Sequence, residues 1–214
     1  VVDSLKEIFP SLFLMRPDKA GADTPFSYLL KRPAGNILFA TKADTVADAR
    51  TIAAAGSVAH ILLGDRHHAL PQTEALAKRL GTPLTCSDIE AAVLKKQGVT
   101  IGQPLPYQYT KLAPDLEIIP TPGHTRGAFS YLWTHKRRKF LFIGDTIVPV
   151  EGAWQYWVTK PNRTEMRKTV EILSKLKFDV ILSNSFASTP VAWFEVNARD
   201  RAAIFAELAH SLKG

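Results

Sequence analysis

The sequence predicts an α/β (α+β) protein in which two β-sheets pack together with helices outside. Candidate strands paired as hairpins come first and are followed by alternating strands and helices, and this order recurs in the second half of the chain. Of the 214 residues, 46% are hydrophobic and 22% are charged, which suffices for a sizeable core. Sheets covered by helices are one of the few arrangements that bury such elements. We therefore expect a single domain over residues 1–214.

The elements of the first half follow from apolar runs and the turn and cap residues between them. Residues 33–35 (Pro-Ala-Gly) are typical of a hairpin turn, and Gly56 and Gly81 are typical of helix ends. Ser87 is a suitable helix cap, and Cys86 before it is expected to be a small core residue. The predicted elements are strands 12–15, 26–30, 36–39 and 58–63, helix 44–55 capped by Asp44 or Thr45, helix 72–80 begun by Pro71, and a helix after Ser87.

The second half repeats the order of hairpin and then alternation. Strands 128–133 and 139–143 are rich in aromatic and β-branched residues and are joined by a five-residue basic turn, which indicates a hairpin. The other predicted elements are strands 116–119 and 179–182 and helices 164–176 and 197–212. Apolar stripes at helical spacing support the two helices. Their members are Met166, Val170, Leu173 and Leu176 in the first, and Ile204, Phe205 and Leu208 in the second.

Composition excludes some functional classes. No apolar run approaches the length needed to span a membrane, and no signal-peptide pattern opens the chain, which begins at Val1. A single cysteine excludes an internal disulfide and fits a reducing compartment, so we expect a cytoplasmic location. The net charge of +7 permits attraction to anionic substrates. The basic run 136–139 is expected to be a solvated hairpin tip, and the pattern does not indicate a nucleic-acid interface.

Two residues with metal-binding chemistry stand at predicted strand ends. Strand 116–119 is stopped by Pro120 and Pro122, and Gly123 then allows a turn that presents His124. Strand 139–143 runs into Gly144 and delivers Asp145. A histidine and a carboxylate on tight loops between rigid strands form a typical setting for metal ligands.

These two segments resemble a known family. Pro-Gly-His-Thr-Arg-Gly at 122–127, followed by Phe-Ile-Gly-Asp-Thr at 142–146, resembles the fourth-histidine and bridging-aspartate motifs of the metallo-β-lactamase superfamily. The resemblance covers nearly the whole chain and implies a four-layer αββα sandwich with its site along one edge between the sheets. It also implies that His124 and Asp145 bind metal.

The loop at residues 64–69, Gly-Asp-Arg-His-His-Ala, departs from the His-x-His-x-Asp-His signature of that family. An ungapped alignment puts Asp65 and His67 on the first two histidines and leaves Ala69 and Leu70 in place of the aspartate and third histidine. The other alignment matches a shortened Thr-His-Arg-Asp-Asp-Val loop and exchanges the ligand types while keeping their number. On that alignment the resemblance implies Asp65, His67 and His68 as ligands. The alternative is a pair of loop histidines bonded to neighbouring backbone.

The last family ligand, a histidine after the strand at 179–182, is replaced by Ser185. A serine hydroxyl is a poor ligand for zinc or iron, so one metal position is expected to be weakened or absent. One or two divalent ions are therefore expected. The remaining imidazole and carboxylate set suits zinc first, with iron or manganese as alternatives.

Residues expected on the substrate side are Arg126, Trp154, Trp157 and Ser185. For Arg126, as for Arg66, a salt-bridged scaffold role ranks ahead of a contact with an anionic substrate. The two tryptophans follow Asp145 in a segment that often borders the site in this fold, so they are candidates for the wall of an apolar pocket. Core anchoring or a homodimer contact are the alternatives for them.

The predicted function is metal-dependent hydrolysis of a small ester, thioester, lactone or phosphoester by water activated on the ion. Asp65 and Asp145 are the predicted catalytic residues. Asp145 would bridge two ions or, with one ion, ligate it or orient the water. The competing hypothesis is a catalytically degenerate protein of the same fold that acts as a binding or structural module. The departures from the family pattern at residues 65, 69, 70 and 185 favour this second hypothesis.

Overall fold

The computed structural model describes residues 5–17, 24–185 and 191–213. The chain divides into two compact units, Val1–Pro106 and Tyr107–Gly214, each built on one large mixed sheet. The single domain expected over residues 1–214 stays a prediction. The segment after the predicted strand 179–182 is described up to Ser185, and Phe186 lies outside the described residues.

The first unit contains a seven-stranded sheet in which the strands follow their chain order. The first four strands are antiparallel neighbours, and from the fourth strand onward each pair is parallel. Parallel neighbours need crossover connections, and three helices supply them. The strands are β1 (Leu5–Phe9), β2 (Leu12–Met15), β3 (Tyr28–Leu30), β4 (Asn36–Phe39), β5 (Val58–Leu62), β6 (Leu84–Ser87) and β7 (Gln103–Leu105), and the helices are α1 (Ala49–Ala54), α2 (Pro71–Leu80) and α3 (Asp88–Lys96).

The helix predicted over 44–55 is divided into a 3-10 turn, Val46–Asp48, and the short α1. Asp44 does not cap it, because its buried carboxylate accepts hydrogen bonds from the Thr41 N–H and the Arg16 guanidinium. Thr45 is the residue at the start of the turn, and its N–H donates to the Asp48 carboxylate. The Ser87 cap is confirmed, since its Oγ accepts the N–H of the third helical residue of α3 at 3.1 Å.

Arg16 is a buried cation between two carboxylates. Its guanidinium lies 2.6 Å from Asp44 Oδ1 and 3.0 Å from Asp48 Oδ2, and it donates to Ser27 Oγ at 2.7 Å. Burial works to lower the pKa of Arg16, but the two carboxylates outweigh it and the pKa is raised. Arg16 therefore stays protonated and ties the loop after β2 to the turn before α1.

Three strands of the first unit, β1, β6 and β7, are absent from the sequence prediction. β6 has only four residues, and its polar Thr85 and Ser87 are as buried as Leu84 and Cys86, so the strand lacks the apolar run that is typical of a strand buried on both faces. Cys86 is a core residue as predicted, and burial raises the pKa of its thiol. β7 contains Pro104, which is tolerated because β7 is an edge strand.

The second unit contains a six-stranded sheet in the order β15-β14-β11-β10-β9-β8 and a separate two-stranded hairpin, β12-β13. The β11–β14 pair is parallel and the other neighbours are antiparallel. The strands are β8 (Thr110–Ala113), β9 (Leu116–Pro120), β10 (Phe129–His135), β11 (Arg138–Gly144), β12 (Val148–Val150), β13 (Ala153–Gln155), β14 (Val180–Ser183) and β15 (Trp193–Glu195), and the helices are α4 (Arg163–Lys175) and α5 (Ala198–Ser211).

The predicted five-residue basic turn between β10 and β11 is wrong. The strands extend further than their apolar cores, so that His135 pairs with Arg138 and only Lys136 and Arg137 form the turn. Lys136 adopts a φ of 54°, the left-handed conformation that such tight turns require. The strands β8, β12, β13 and β15 were not predicted because they are short and only partly apolar.

The two predicted apolar stripes of the second unit are confirmed. Met166, Val170 and Leu173 of α4 are buried in one core cluster, and Leu176 packs against it from the side. Ile204, Phe205 and Leu208 of α5 enter the same cluster. Among the described residues, none of the helices is both long and apolar enough to cross a lipid bilayer.

Candidate functional site

The structure of the second unit explains why His124 and Asp145 come together. β9 and β11 both pair antiparallel with β10, so they run in the same direction and end at the same edge of the sheet. The loop after β9 carries His124, and Asp145 follows the last residue of β11. His124 Nε2 lies 4.0 Å from Asp145 Oδ2, and the two side chains are only 12% and 13% exposed.

The tautomer of the neutral His124 ring follows from one hydrogen bond. Its Nδ1 lies 2.8 Å from the backbone carbonyl oxygen of Trp157. A carbonyl oxygen can only accept, so Nδ1 carries the proton and donates it. In the neutral ring the lone pair is then on Nε2, the atom that faces Asp145. Histidines that bind metal through one ring nitrogen usually donate the N–H of the other to an acceptor, as His124 donates to the Trp157 carbonyl.

The separation of these two atoms suits ligands of a common cation. Two ligand atoms about 2.1 Å from a tetrahedral ion are about 3.4 Å apart, and wider angles give larger separations. The observed 4.0 Å between His124 Nε2 and Asp145 Oδ2 needs only a small adjustment of two side chains. Imidazole and carboxylate are also donors that zinc accepts.

The loop that carries His124 is held closely against α4. Gly123 has a φ of +145°, and a Cβ built on it would lie 2.8 Å from Met166 Cε and 2.9 Å from Met166 Cα. Thr169 Oγ1 donates to the carbonyl oxygen of Pro122 at 2.6 Å. Glycine is therefore required at position 123 both by the backbone conformation and by the approach to the helix.

Gly123→Ala is expected to lower the free energy of unfolding by about 2–4 kcal/mol, since left-handed strain adds to a clash with backbone atoms of α4. Urea unfolding measures this loss. Gly152→Ala is the matched control, because its φ is +85° and no atom lies within 4 Å of a Cβ there, so only the strain remains. Equal losses in the two variants would mean that packing on α4 does not hold the loop.

In the first unit, Asp65 and His67 form a second His/Asp pair. Asp65 lies after β5 and is 1% exposed, and its Oδ1 accepts the N–H of His67 at 2.7 Å. This bond caps a 3-10 turn, Arg66–His68. His67 Nδ1 lies 3.4 Å from the same oxygen, and the His67 side chain is 52% exposed. The exposed imidazole is thus held beside a buried carboxylate.

Arg66 belongs to the scaffold, the role ranked first for it from the sequence. Its Nε and one terminal guanidinium nitrogen donate to the two carboxylate oxygens of Glu90 at 2.6 and 2.9 Å. The backbone N–H of Arg66 also donates to the Glu90 carboxylate at 3.2 Å. The Glu90 side chain is fully buried at the start of α3. This bidentate pair fixes the loop that presents Asp65 and His67.

His68 is oriented differently from the other predicted ligands. Its side chain is buried, and its Nδ1 accepts the N–H of Gly64 at 3.1 Å. A neutral imidazole that accepts at Nδ1 carries its proton on Nε2, so in this state neither ring nitrogen offers a lone pair to a metal. This geometry favours the alternative in which His68 is bonded to neighbouring backbone.

The predicted substrate-side residues differ in exposure. Arg126 is exposed, and Trp157 is 37% exposed. Trp154 is half-buried in β13, where its ring packs edge-on against Phe194 at 5.1 Å, which supports the core-anchor alternative. Ser185 is buried two residues after the end of β14, and its N–H donates to Ser183 Oγ at 3.2 Å.

One buried hydroxyl beside His124 lacks a partner. Thr125 is 4% exposed, and its Oγ1 has no hydrogen-bond partner among the described residues. A buried polar group without a partner destabilises the folded state. Such an atom in a loop with a candidate ligand is typical of a functional position.

Thr125→Val is expected to raise the free energy of unfolding by about 1 kcal/mol, because the unsatisfied hydroxyl is replaced by an isosteric methyl group. Thermal unfolding measures the change. Ser130→Ala serves as the contrast, since Ser130 is buried and has a partner at 3.0 Å, and its loss is expected to destabilise the protein. A Thr125→Val variant that is less stable than the parent protein would show that the hydroxyl is satisfied.

Comparison with known proteins gives the fold. No protein-family model and no curated protein matches the chain. Three similar solved structures are a metallo-β-lactamase with a HARLDQ motif from Cronobacter sakazakii, metallo-β-lactamase SMB-1 bound to 2-mercaptoethanesulfonate, and MEM-A1, a subclass B3 metallo-β-lactamase isolated from a soil metagenome library. Their TM-scores are 0.68, 0.65 and 0.68, at 18%, 18% and 15% identity.

The likeness extends over nearly the whole length of this chain and of each similar structure. It covers 98%, 99% and 99% of this chain and 93%, 95% and 94% of the three structures, in the same order. The chain therefore has the metallo-β-lactamase fold, and the αββα fold class predicted from the sequence is confirmed. At this level of identity the comparison shows the fold alone, so the roles of Asp65, His67, His68, His124 and Asp145 stay predictions.

Proposed function

We propose that the protein is a metal-dependent hydrolase whose cation is held by His124 and Asp145. The observation that carries the proposal is the His124–Asp145 pair, in which Nε2 faces Oδ2 at 4.0 Å while the Trp157 carbonyl keeps the proton on Nδ1. The metallo-β-lactamase names of the similar structures support it.

The imidazole of His124 and the carboxylate of Asp145 are donors that a divalent cation of borderline hardness accepts. Asp65 and His67, the ligands that the family resemblance implies in the first unit, offer the same two donor types, and none of these residues supplies a thiolate. His68 is left out because of its bond to Gly64, and the Ser185 hydroxyl is a poor donor. We propose one ion, zinc first, with iron or manganese as alternatives and a second ion only if a further donor is recruited.

A cation at such a site lowers the pKa of water toward neutrality and polarises a carbonyl or phosphoryl group. The side chains of this protein prepare that chemistry. The Trp157 carbonyl fixes the ring of His124, and the Asp145 carboxylate beside it would accept a water proton. Asp145 is therefore a proposed catalytic residue, and Asp65 stays the second one predicted from the sequence.

The proposed substrate is a small ester, thioester, lactone or phosphoester. Arg126 is exposed two residues after His124 and is suited to an anionic group. The exposed Trp157, whose carbonyl holds His124, is suited to an apolar group. The homodimer and the cytoplasmic location expected from the sequence stay predictions.

The test is a hydrolysis assay on metal-stripped and metal-restored protein. Nitrophenyl acetate, a thioester, a γ-lactone, bis-nitrophenyl phosphate and, because of the names of the similar structures, a β-lactam form the panel. The proposal predicts that zinc or manganese restores turnover of at least one substrate and that Asp145→Ala abolishes this turnover. Turnover that is equal in stripped, restored and Asp145→Ala protein would contradict it.

A second proposed function is a binding or structural module that keeps the fold without hydrolysis. The observation that favours it is Ser185, which is buried after β14 where the family places a ligand. Leu70 is a further departure, since it is 40% exposed at the start of α2. A cation that binds only the folded state must raise the melting temperature. A module that binds no metal is therefore expected to show no rise in melting temperature with zinc or manganese.

A further inference from the structure

Three hydroxyl groups form a buried cluster near the His124–Asp145 pair. They belong to Thr121, Ser130 and Thr146, which are at most 1% exposed. Thr121 Oγ1 lies 3.0 Å from Ser130 Oγ and 3.4 Å from Thr146 Oγ1, and it is 3.5 Å from the carbonyl oxygen of Ala128. Thr121 is thus the centre of the cluster.

The cluster connects two loops that the sheet keeps apart. Thr121 directly follows β9, Ser130 lies in β10, and Thr146 follows β11 after one residue. β9 and β11 are not neighbours, because β10 lies between them, so their axes are about 9–10 Å apart. A hydroxyl contact between Thr121 and Thr146 therefore spans β10 and joins the two strand ends directly.

Both ends of this connection are close in sequence to the proposed ligands. Thr121 precedes His124 by three residues in a loop already fixed on α4, and Thr146 is bonded to Asp145 through the backbone. The loop backbone is also fixed locally, because the Thr121 N–H donates to Ala128 O and the Thr146 N–H donates to Ile143 O. The side-chain contact is thus a link between two locally ordered loops.

Packing alone does not require hydroxyl groups at these positions. The neighbours in sequence, Ile119, Ile143 and Ile147, are buried members of the core cluster of the second unit. A valine has the shape of threonine and would fill the same space, and exchanging hydrogen-bonded groups for apolar ones of equal shape is often nearly neutral for stability. The specific effect of the hydroxyls is directional, since a hydrogen bond fixes distance and angle.

We propose that Thr146, through its contact with Thr121, is a positioning residue that sets the separation of His124 and Asp145. This inference rests on the proposed function for its consequence, which is the affinity and coordination geometry of the bound cation. Residues that orient metal ligands typically change metal affinity about 10- to 100-fold when they are replaced.

The test compares Thr146→Val with Thr146→Ser and the parent protein. Cobalt(II) is titrated into metal-free protein, and the absorption spectrum of the ion and its dissociation constant are measured by competition with a chelator. Thr146→Val is expected to weaken cobalt binding about 10-fold or more and to change the spectrum, whereas Thr146→Ser restores both. Thr85→Val is the matched control, because Thr85 is a buried, hydrogen-bonded threonine of the first unit.

A second measurement separates the inference from the proposed function. The imidazole NMR signals of His124, assigned with His124→Ala, are recorded in metal-free protein. Thr146→Val is expected to shift these signals and Thr85→Val is not. If the parent protein binds no cobalt, the proposed function is wrong and the NMR signals alone decide the inference. Unchanged signals, or cobalt affinity and spectrum equal to those of the parent protein, would overturn the inference and leave the proposed function standing.

Discussion

Replacing His124 with alanine is expected to weaken zinc binding by more than about 100-fold, since even residues that only orient a ligand change affinity by up to about that factor. Asp145→Ala is expected to have an effect of similar size. Both side chains are only 12% and 13% exposed, so the folding of each variant is checked by its melting temperature without metal. Competition with a chromophoric chelator measures the zinc affinity.

His210→Ala is the matched control for this prediction. His210 is an exposed histidine near the end of α5, and its loss is expected to leave zinc affinity unchanged. The comparison of zinc affinities requires that the three variants have the same melting temperature without metal. Zinc affinity that falls equally in His124→Ala and His210→Ala, or in neither, would mean that zinc binds nonspecifically or elsewhere.

Arg66→Ala is expected to lower the free energy of unfolding by about 3 kcal/mol or more, because it leaves the fully buried Glu90 carboxylate without its cation. The same variant is expected to weaken metal binding, since Arg66 lies between Asp65 and His67 and fixes their loop on α3. Chemical denaturation gives the stability, and chelator competition gives the affinity.

Two further variants distinguish the buried pair from a general loss of charge. Arg50→Ala removes an exposed arginine of α1 and is expected to change stability by less than about 0.5 kcal/mol. Arg66→Met combined with Glu90→Met removes both charges and is expected to recover much of the loss, because no buried charge then remains unpaired. A double variant as unstable as Arg66→Ala would show that the charge pair is not the cause.

The parts of the fold that the sequence predicted are those with local causes. The helices α2, α4 and α5 follow from apolar periodicity with caps and end signals, and they begin and end within a residue or two of the prediction. Strand β6 has no such signal, because its hydrogen-bonded neighbours β5 and β7 come from elsewhere in the chain. The 3-10 turn before α1 follows from the distant Arg16, which draws Asp44 into a buried ion pair.

The candidate site shows the same division between local and distant causes. Pro and Gly residues beside short strands predicted that His124 and Asp145 lie at strand ends. The partner of His124 Nδ1 is a backbone carbonyl 33 residues away, and the cation that pairs with Glu90 is 24 residues away. Backbone carbonyls carry no sequence signal, so the role of Trp157 in holding His124 was not predictable from its side chain.

The most direct test of the metal-dependent hydrolase is the metal content of purified protein without a histidine tag, measured by mass spectrometry before and after reconstitution with zinc, iron or manganese. The proposed site predicts at least one equivalent of one of these metals in the parent protein. It also predicts that His124→Ala loses this metal while His210→Ala retains it. A metal content that stays well below one equivalent after reconstitution, or that is unchanged in His124→Ala, would contradict the proposed metal centre.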